Sequence, residues 1–125
     1  MIYGIGADIV ENKRIENILK ESDQKFLDRV FTAQEIVYAK SKKNPVPFFA
    51  VRFAAKEAFL KALGTGLRGN ISLKDIEVIK DDLGKPEIVV NDVIKKLFDK
   101  NNIKSCHLSL SHEDNYSVAY IVLEL

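Results

Sequence analysis

The stretch that most constrains this chain is Arg52-Phe53-Ala54-Ala55-Lys56-Glu57-Ala58-Phe59-Leu60-Lys61-Ala62-Leu63-Gly64-Thr65-Gly66. It follows Asn44-Pro45-Val46-Pro47, where prolines suit a helix start, and it runs into Gly64 and Gly66, where a left-handed residue can end one. The spacing predicts a helix from about Pro47 to Leu63. Apart from four charged residues it is apolar nearly all round, which marks a helix buried on every side. Charges on such a helix are costly unless something compensates them.

At about 100° per residue, Arg52 and Lys56 share one stripe, and Glu57 and Lys61 share another roughly 140° away. Two readings follow. Glu57 and Lys61 stand in the favourable order for an intrahelical ion pair, which contributes only a few tenths of a kcal/mol. Alternatively, Glu57 faces a cation and Lys61 faces a phosphate or a developing anion, which needs a second carboxylate from elsewhere in the chain.

The N-terminal run Ile2-Tyr3-Gly4-Ile5-Gly6-Ala7-Asp8-Ile9-Val10 offers that carboxylate. Strand alternation puts Ile2, Gly4, Gly6 and Asp8 on one face and Tyr3, Ile5, Ala7 and Ile9 on the other. The first face is nearly bare until Asp8, so another backbone or a ligand can approach it closely. Gly-x-Gly-x-Asp lacks the third glycine and the immediate helix of a dinucleotide fingerprint, and Gly64-Thr65-Gly66-Leu67 lacks the Gly-Lys-Ser/Thr ending of a Walker loop. By itself, Asp8 equally suits a strand-end or capping acid.

Length and charge narrow the classes. At 125 residues the chain is expected to form one domain, residues 1–125, with a genuine core. A net charge of +1 without aromatic and basic interleaving argues against nucleic acid, and no apolar run approaches a membrane span. The single cysteine, Cys106, excludes an internal disulfide and reads as a buried small apolar residue. With no signal-like start, a cytoplasmic location is the simplest expectation.

Elsewhere, Glu11 to Glu21 reads as a short amphipathic helix with Ile15, Ile18 and Leu19 as its apolar stripe and Lys13, Arg14 and Lys20 outward. Ser22-Asp23 can cap a further turn through Phe26, Leu27 and Val30. Thr32-Ala33-Gln34-Glu35 is a capping box that opens a helix to about Lys40. A basic connector, Lys40 to Pro45, follows. Asp75 to Lys80 and Glu87 to Val90 form a hairpin around Asp81-Asp82-Leu83-Gly84-Lys85-Pro86. Asn91 or Asp92 caps a helix ending at Asn101-Asn102, and two strands, Ser105 to Ser111 and Tyr116 to Leu125, close the chain. The mixture predicts an α+β fold.

Taken together, Gly4-Ile5-Gly6-Ala7-Asp8-Ile9 and Phe53-Ala54-Ala55-Lys56-Glu57-Ala58-Phe59-Leu60-Lys61 resemble the signature of the 4'-phosphopantetheinyl transferases, where an aspartate follows a glycine-containing strand and a Lys-Glu-x-x-x-Lys helix comes later. The length, the Arg52 lead-in, the Gly64-Thr65-Gly66 exit and the late Ser111-His112 resemble the small bacterial type. The resemblance implies a mainly antiparallel sheet around a long buried helix. It implies transfer of the phosphopantetheine arm of coenzyme A to a serine of apo acyl carrier protein, releasing adenosine 3',5'-bisphosphate, for fatty acid biosynthesis. It further implies a magnesium ion on Asp8 and Glu57, and a homotrimer with active sites between subunits.

Within that expectation, Lys61 serves as electrostatic stabiliser and Glu57 as base for the serine proton. Arg52, Lys56, His112 and Lys42 or Lys43 are candidates for the coenzyme's 3'-phosphate, and the Gly64 bend offers backbone donors. Carrier protein is acidic, so Lys13, Arg14, Ile15 and Ile18 make a candidate docking face. The competing expectation is a non-catalytic α+β binding module, with Glu57 and Lys61 a structural pair.

Overall fold

The computed structural model describes residues 1–125. Strand β1 (Ile2–Glu11) leads into helix α1 (Asn12–Val30), α2 (Ala33–Lys40) and α3 (Val46–Leu63). A short 3-10 turn, Leu73–Asp75, precedes β2 (Ile76–Lys80) and β3 (Pro86–Val90); α4 (Asp92–Lys100), β4 (Ser105–His112) and β5 (Tyr116–Glu124) follow. The strands form two antiparallel sheets, one ordered β1-β5-β4 and the other the β2-β3 hairpin. This is the expected α+β architecture. No helix is long and apolar enough to cross a membrane.

Helix α3 lies across the inner face of the three-stranded sheet, with α1, α2 and β2 packed on its other sides. Phe49, Ala50, Ala54, Ala55, Ala58, Phe59, Ala62 and Leu63 join one continuous buried cluster of 24 residues. Gly64 ends the helix in the left-handed region at φ 83°, its N–H donating to the Leu60 carbonyl.

The closest packing is between β1 and α3. A Cβ added to Gly4 would stand 2.1 Å from the Ala62 carbonyl oxygen, and one added to Gly6 would stand 1.9 Å from that of Ala58. Strand backbone therefore rests directly on a ridge of small residues, Ala54, Ala58 and Ala62, one turn apart. Ile2 departs from the expected alternation: a register irregularity between Ile2 and Gly4 leaves Ile2 exposed. The opposite face carries Ile5, Ile9 and Tyr120 with more than half of each exposed.

The helical stretch after β1 is longer than expected because α1 continues to Val30, but Ser22 (φ −149°, ψ 47°) breaks it where a new start was expected. Ile15, assigned to a docking face, is fully buried in the core, and Ile18 packs half-buried against it. Only Lys13 and Arg14 of that set are exposed. The correction has a simple cause: Ile15 follows Asn12 by one turn, and both face inward. Asn12 donates to the carbonyls of Glu113 and Asp114 and accepts from the Ser117 hydroxyl at 2.7 Å, which fixes that face.

The expected strand start at Asp75 gives way to the 3-10 turn. Ser72 Oγ accepts from the Lys74 N–H and Asp75 accepts from the Ser72 N–H, a closed capping pair that satisfies those donors locally.

The β1–α3 contact predicts that Gly6→Ala destabilises the fold by about 1–3 kcal/mol, since the backbone of α3 cannot move aside as a side chain would. Chemical denaturation against the parent chain measures this. A loss below a few tenths of a kcal/mol would show that the strand shifts without cost.

Candidate active site

Seating Gly4 and Gly6 on α3 brings Asp8, two residues further along the same strand face, to the last turns of the helix. Lys61 Nζ donates to Asp8 Oδ1 at 3.1 Å and to the Ala7 carbonyl at 3.0 Å. No ion pair joins Lys61 to Glu57. The intrahelical pair, one of the two readings open from sequence, is therefore replaced by a contact across 53 residues.

Glu57 stands near enough to feel both neighbours. Burial first, and the Asp8 charge second, push its carboxyl above the ordinary range, while Lys61 and Arg14 pull it back. The Asp8 charge thus opposes ionisation of Glu57 from a separate element, which is the electrostatic condition a shared cation relieves. No group of three or more His, Cys, Asp or Glu side chains gathers anywhere in the chain. Such a donor set suits a hard ion that keeps waters and phosphate oxygens as its other ligands, and does not suit zinc. The residues fit magnesium.

Two hollows flank Lys61. One, of about 280 Å³, is lined by Ala7, Asp8, Ile9, Lys61, Val118 and Tyr120. The other, of about 410 Å³, is lined by Glu57, Leu60, Lys61, Gly64, Gly66 and Leu67. The Lys61 side chain is 56% exposed between them. With two of its three N–H donors spent on Asp8 and Ala7, one remains for an incoming oxygen.

The other sequence candidates divide. Gly64 lines the second hollow beside Glu57. Lys56 does not belong to the ligand-facing set: its ammonium is fully buried and donates to Glu35 Oε1 at 2.6 Å, the Val30 carbonyl at 2.8 Å and the Leu73 carbonyl at 3.0 Å. All three donors are used, so it has none for a phosphate. Burial lowers its hold on the proton, and the Glu35 charge offsets that only in part.

Arg52 and His112 lie toward the other end of α3. The Arg52 guanidinium sits 4.5 Å over the Tyr38 ring and donates to the Phe48 carbonyl, while its Nε is buried without a partner. Lys42 and Lys80 also approach Tyr38, at 4.7 Å and 5.7 Å from the ring centre, and the His112 ring packs 6.2 Å from that of Phe48. Phe48 and Lys61 are thirteen positions apart, about 20 Å along the helix. One chain therefore carries two separated groups, carboxylates with Lys61 at one end of α3 and cations around aromatic rings at the other.

Glu35, Tyr38 and Lys80 escape a sequence reading because their partners are distant along the chain. Glu35 was legible only as a capping residue, and it is one: its Oε1 accepts from the Thr32 N–H. The missed signal was Lys56 itself, since a cation on an otherwise apolar helix demands a buried acid. Cys106 is half-buried with its thiol pushed up to about 12 by burial, which disfavours the reactive thiolate.

Comparison with known proteins agrees over the whole chain. A family model of the 4'-phosphopantetheinyl transferase superfamily matches residues 4–121. A holo-[acyl-carrier-protein] synthase of Geobacter sp. (strain M21) is 52% identical over 124 residues, 99% of each chain. The crystal structure of the Neisseria meningitidis holo-[acyl-carrier-protein] synthase superposes with a TM-score of 0.93 at 42% identity, covering 100% of both chains. A Bacillus anthracis holo-(acyl-carrier-protein) synthase solved in complex with CoA (3',5'-ADP) gives 0.82 at 42% identity, covering 98% of this chain and 96% of that one. A sequence this similar along its full length, folded this alike and with Asp8 meeting Lys61 beside Glu57, belongs to the holo-[acyl-carrier-protein] synthases of the 4'-phosphopantetheinyl transferase superfamily.

Proposed function

We propose that this chain transfers the 4'-phosphopantetheine group of coenzyme A to a serine of apo acyl carrier protein, in the cytoplasm and in the service of fatty acid biosynthesis. The observation that carries the reading is the pairing of Asp8 and Glu57, from separate elements, around Lys61. A binding module in which Glu57 and Lys61 merely pair with each other is not favoured, because Lys61 turns to Asp8 instead.

In the reaction, the carrier's serine oxygen attacks the phosphorus that bears the pantetheine arm. A P–O bond forms there, and the P–O bond to the adenosine-side phosphate breaks. The serine proton passes to Glu57, the carboxylate that lines the groove beside Lys61. The electron pair leaves with adenosine 3',5'-bisphosphate, whose new oxygen charge the free Lys61 donor stabilises. Asp8 and Glu57 would hold magnesium, which when bound offsets charge on the diphosphate. Because Lys61 bridges Asp8 to the groove, it also fixes where that carboxylate points.

The cationic and aromatic group of Arg52, Tyr38, Lys42, Lys80 and His112 suits the 3'-phosphate and adenine of the coenzyme. Its distance from Lys61 within one chain supports a homotrimer whose neighbours each supply half of a site. The exposed Ile5, Ile9 and Tyr120 on one sheet face give such an assembly an apolar surface to bury. Sedimentation should therefore give three times the chain mass, and Ile5→Lys should shift it downward; a monomer at micromolar concentration contradicts the shared site.

The test of function is direct. Incubation with apo carrier, coenzyme A and magnesium should add the phosphopantetheine mass to the carrier. Asp8→Asn and Glu57→Gln should each lower kcat/KM by about 100-fold or more. Arg14→Glu, which reverses an exposed charge near Glu57 on the proposed carrier side, should raise the carrier KM several-fold with coenzyme binding retained. Parent-like turnover in both carboxylate variants would sink the assignment.

A pH dependence follows from the raised Glu57 pKa. Without a metal, ionising Glu57 is harder in the folded chain than in the unfolded one, so its contribution is unfavourable above the folded pKa and absent below the unfolded value. Magnesium relieves that penalty only where Glu57 is ionised. The thermal shift produced by magnesium should accordingly be larger at pH 8 than at pH 5, and Glu57→Gln should flatten the difference. An equal shift at both pH values in the parent chain would place the metal elsewhere.

A further inference from the structure

The groove beside Glu57 has one wall with almost no support of its own. From Gly64 the chain passes through Gly66 and Gly69, all three in the left-handed region at φ 83°, 60° and 70°. Between Thr65 and Asn70 the chain makes only isolated turns, the one side-chain hydrogen bond is Thr65 Oγ1 donating to the Gly66 carbonyl, and the first residue to pack against the core is Ile71. Such a segment is held by its ends. The near end is the Gly64 N–H on the Leu60 carbonyl at 2.9 Å. The far end is buried Leu73, whose carbonyl accepts from Lys56 at 3.0 Å.

Lys56 cannot yield that position easily. Its other two donors engage the last residue of α1 and the Glu35 carboxylate of α2, and Glu35 Oε2 accepts from the Val78 N–H of β2 at 2.8 Å. Two fully buried side chains thus tie α1, α2, β2 and the start of the 3-10 turn to α3. Helix α3 is separately seated on β1 through Gly4 and Gly6, so Asp8, Glu57 and Lys61 do not depend on this tie for their mutual placement.

Resting on the transferase reading above, we propose that Lys56 and Glu35 are positioning residues for the transfer: they anchor the 64–72 segment at Leu73 and thereby set the groove wall of Gly64, Gly66 and Leu67 against which the coenzyme lies. Neither has a polar group free for the substrate: all three Lys56 donors are used, and Glu35, although it borders the hollow of Tyr38, Arg52 and Lys80, has both oxygens engaged by Thr32, Lys56 and Val78. Loosening the anchor widens the groove while leaving the reacting groups in place, so the loss falls on coenzyme KM and not on kcat.

The test compares the full chain with Lys56→Met, which keeps the length of the side chain without its charge, and with Glu35→Gln, which keeps shape and weakens the hold on Lys56. Expected is a rise of about tenfold in coenzyme A KM, with kcat and carrier KM within about twofold. Trypsin should cut after exposed Arg68 faster in both variants, with cutting after exposed Lys43 unchanged. Should Lys56→Met fail to fold, Glu35→Gln decides by the same readouts. Unchanged coenzyme KM overturns the proposal, and so does a joint rise in cutting at Arg68 and Lys43 with a fall in kcat, because that is general loosening. If the parent chain shows no transfer, the functional reading fails separately and the cleavage pattern still decides the anchor.

Discussion

Backbone meeting backbone without an intervening side chain is the contact on which the rest depends. Gly4 and Gly6 let β1 settle on Ala58 and Ala62 at a distance that any Cβ would prohibit. The consequence is geometric: Asp8 follows Gly6 on the same face and arrives at Lys61 with no loop or hinge in between. A carboxylate on a strand in the sheet and a carboxylate on the longest buried helix are both held by rigid elements, which is how a two-acid site keeps its spacing.

The four charges of α3 answer to different physical rules. Lys61 reaches the surface and keeps a donor free. Glu57 is partly buried beside another acid and holds its proton more strongly for it. Lys56 is wholly enclosed, and it is tolerated only because a carboxylate and two carbonyls satisfy every donor. Arg52 lies over Tyr38 with its Nε unpartnered. Removing one partner of the Lys56–Glu35 pair would strand the other in the core, a larger penalty than the pair's net contribution to stability.

Much of this was legible before any coordinates. The near-uniform apolar surface of Val46–Leu63, the bare strand face ending in Asp8, the capping box at Thr32 and the hairpin around Gly84 are local signals, written in periodicity and turn chemistry. What was not legible is long-range. Lys61 with Asp8 spans 53 residues and Lys56 with Glu35 spans 21. Residue type and helical projection show which direction Lys56 points, but not whether water, phosphate or a buried acid stands there. Ile15 illustrates the same limit, since a short amphipathic helix shows its apolar stripe without saying whether core or partner covers it. The left-handed Gly64 ended the helix as expected, yet how few hydrogen bonds hold the segment after it appears only in three dimensions.

Strand β1 has a neighbour on one side only, and Lys61 covers the Ala7 carbonyl on it. A charged side chain laid against an edge strand hinders another chain from extending the sheet there. The ammonium that borders the groove is therefore also a guard against unwanted sheet growth. An uncharged replacement at position 61 would remove the hold on Asp8 and the guard on Ala7 at once, and a Lys61 variant that clumps would owe that defect to the Ala7 contact.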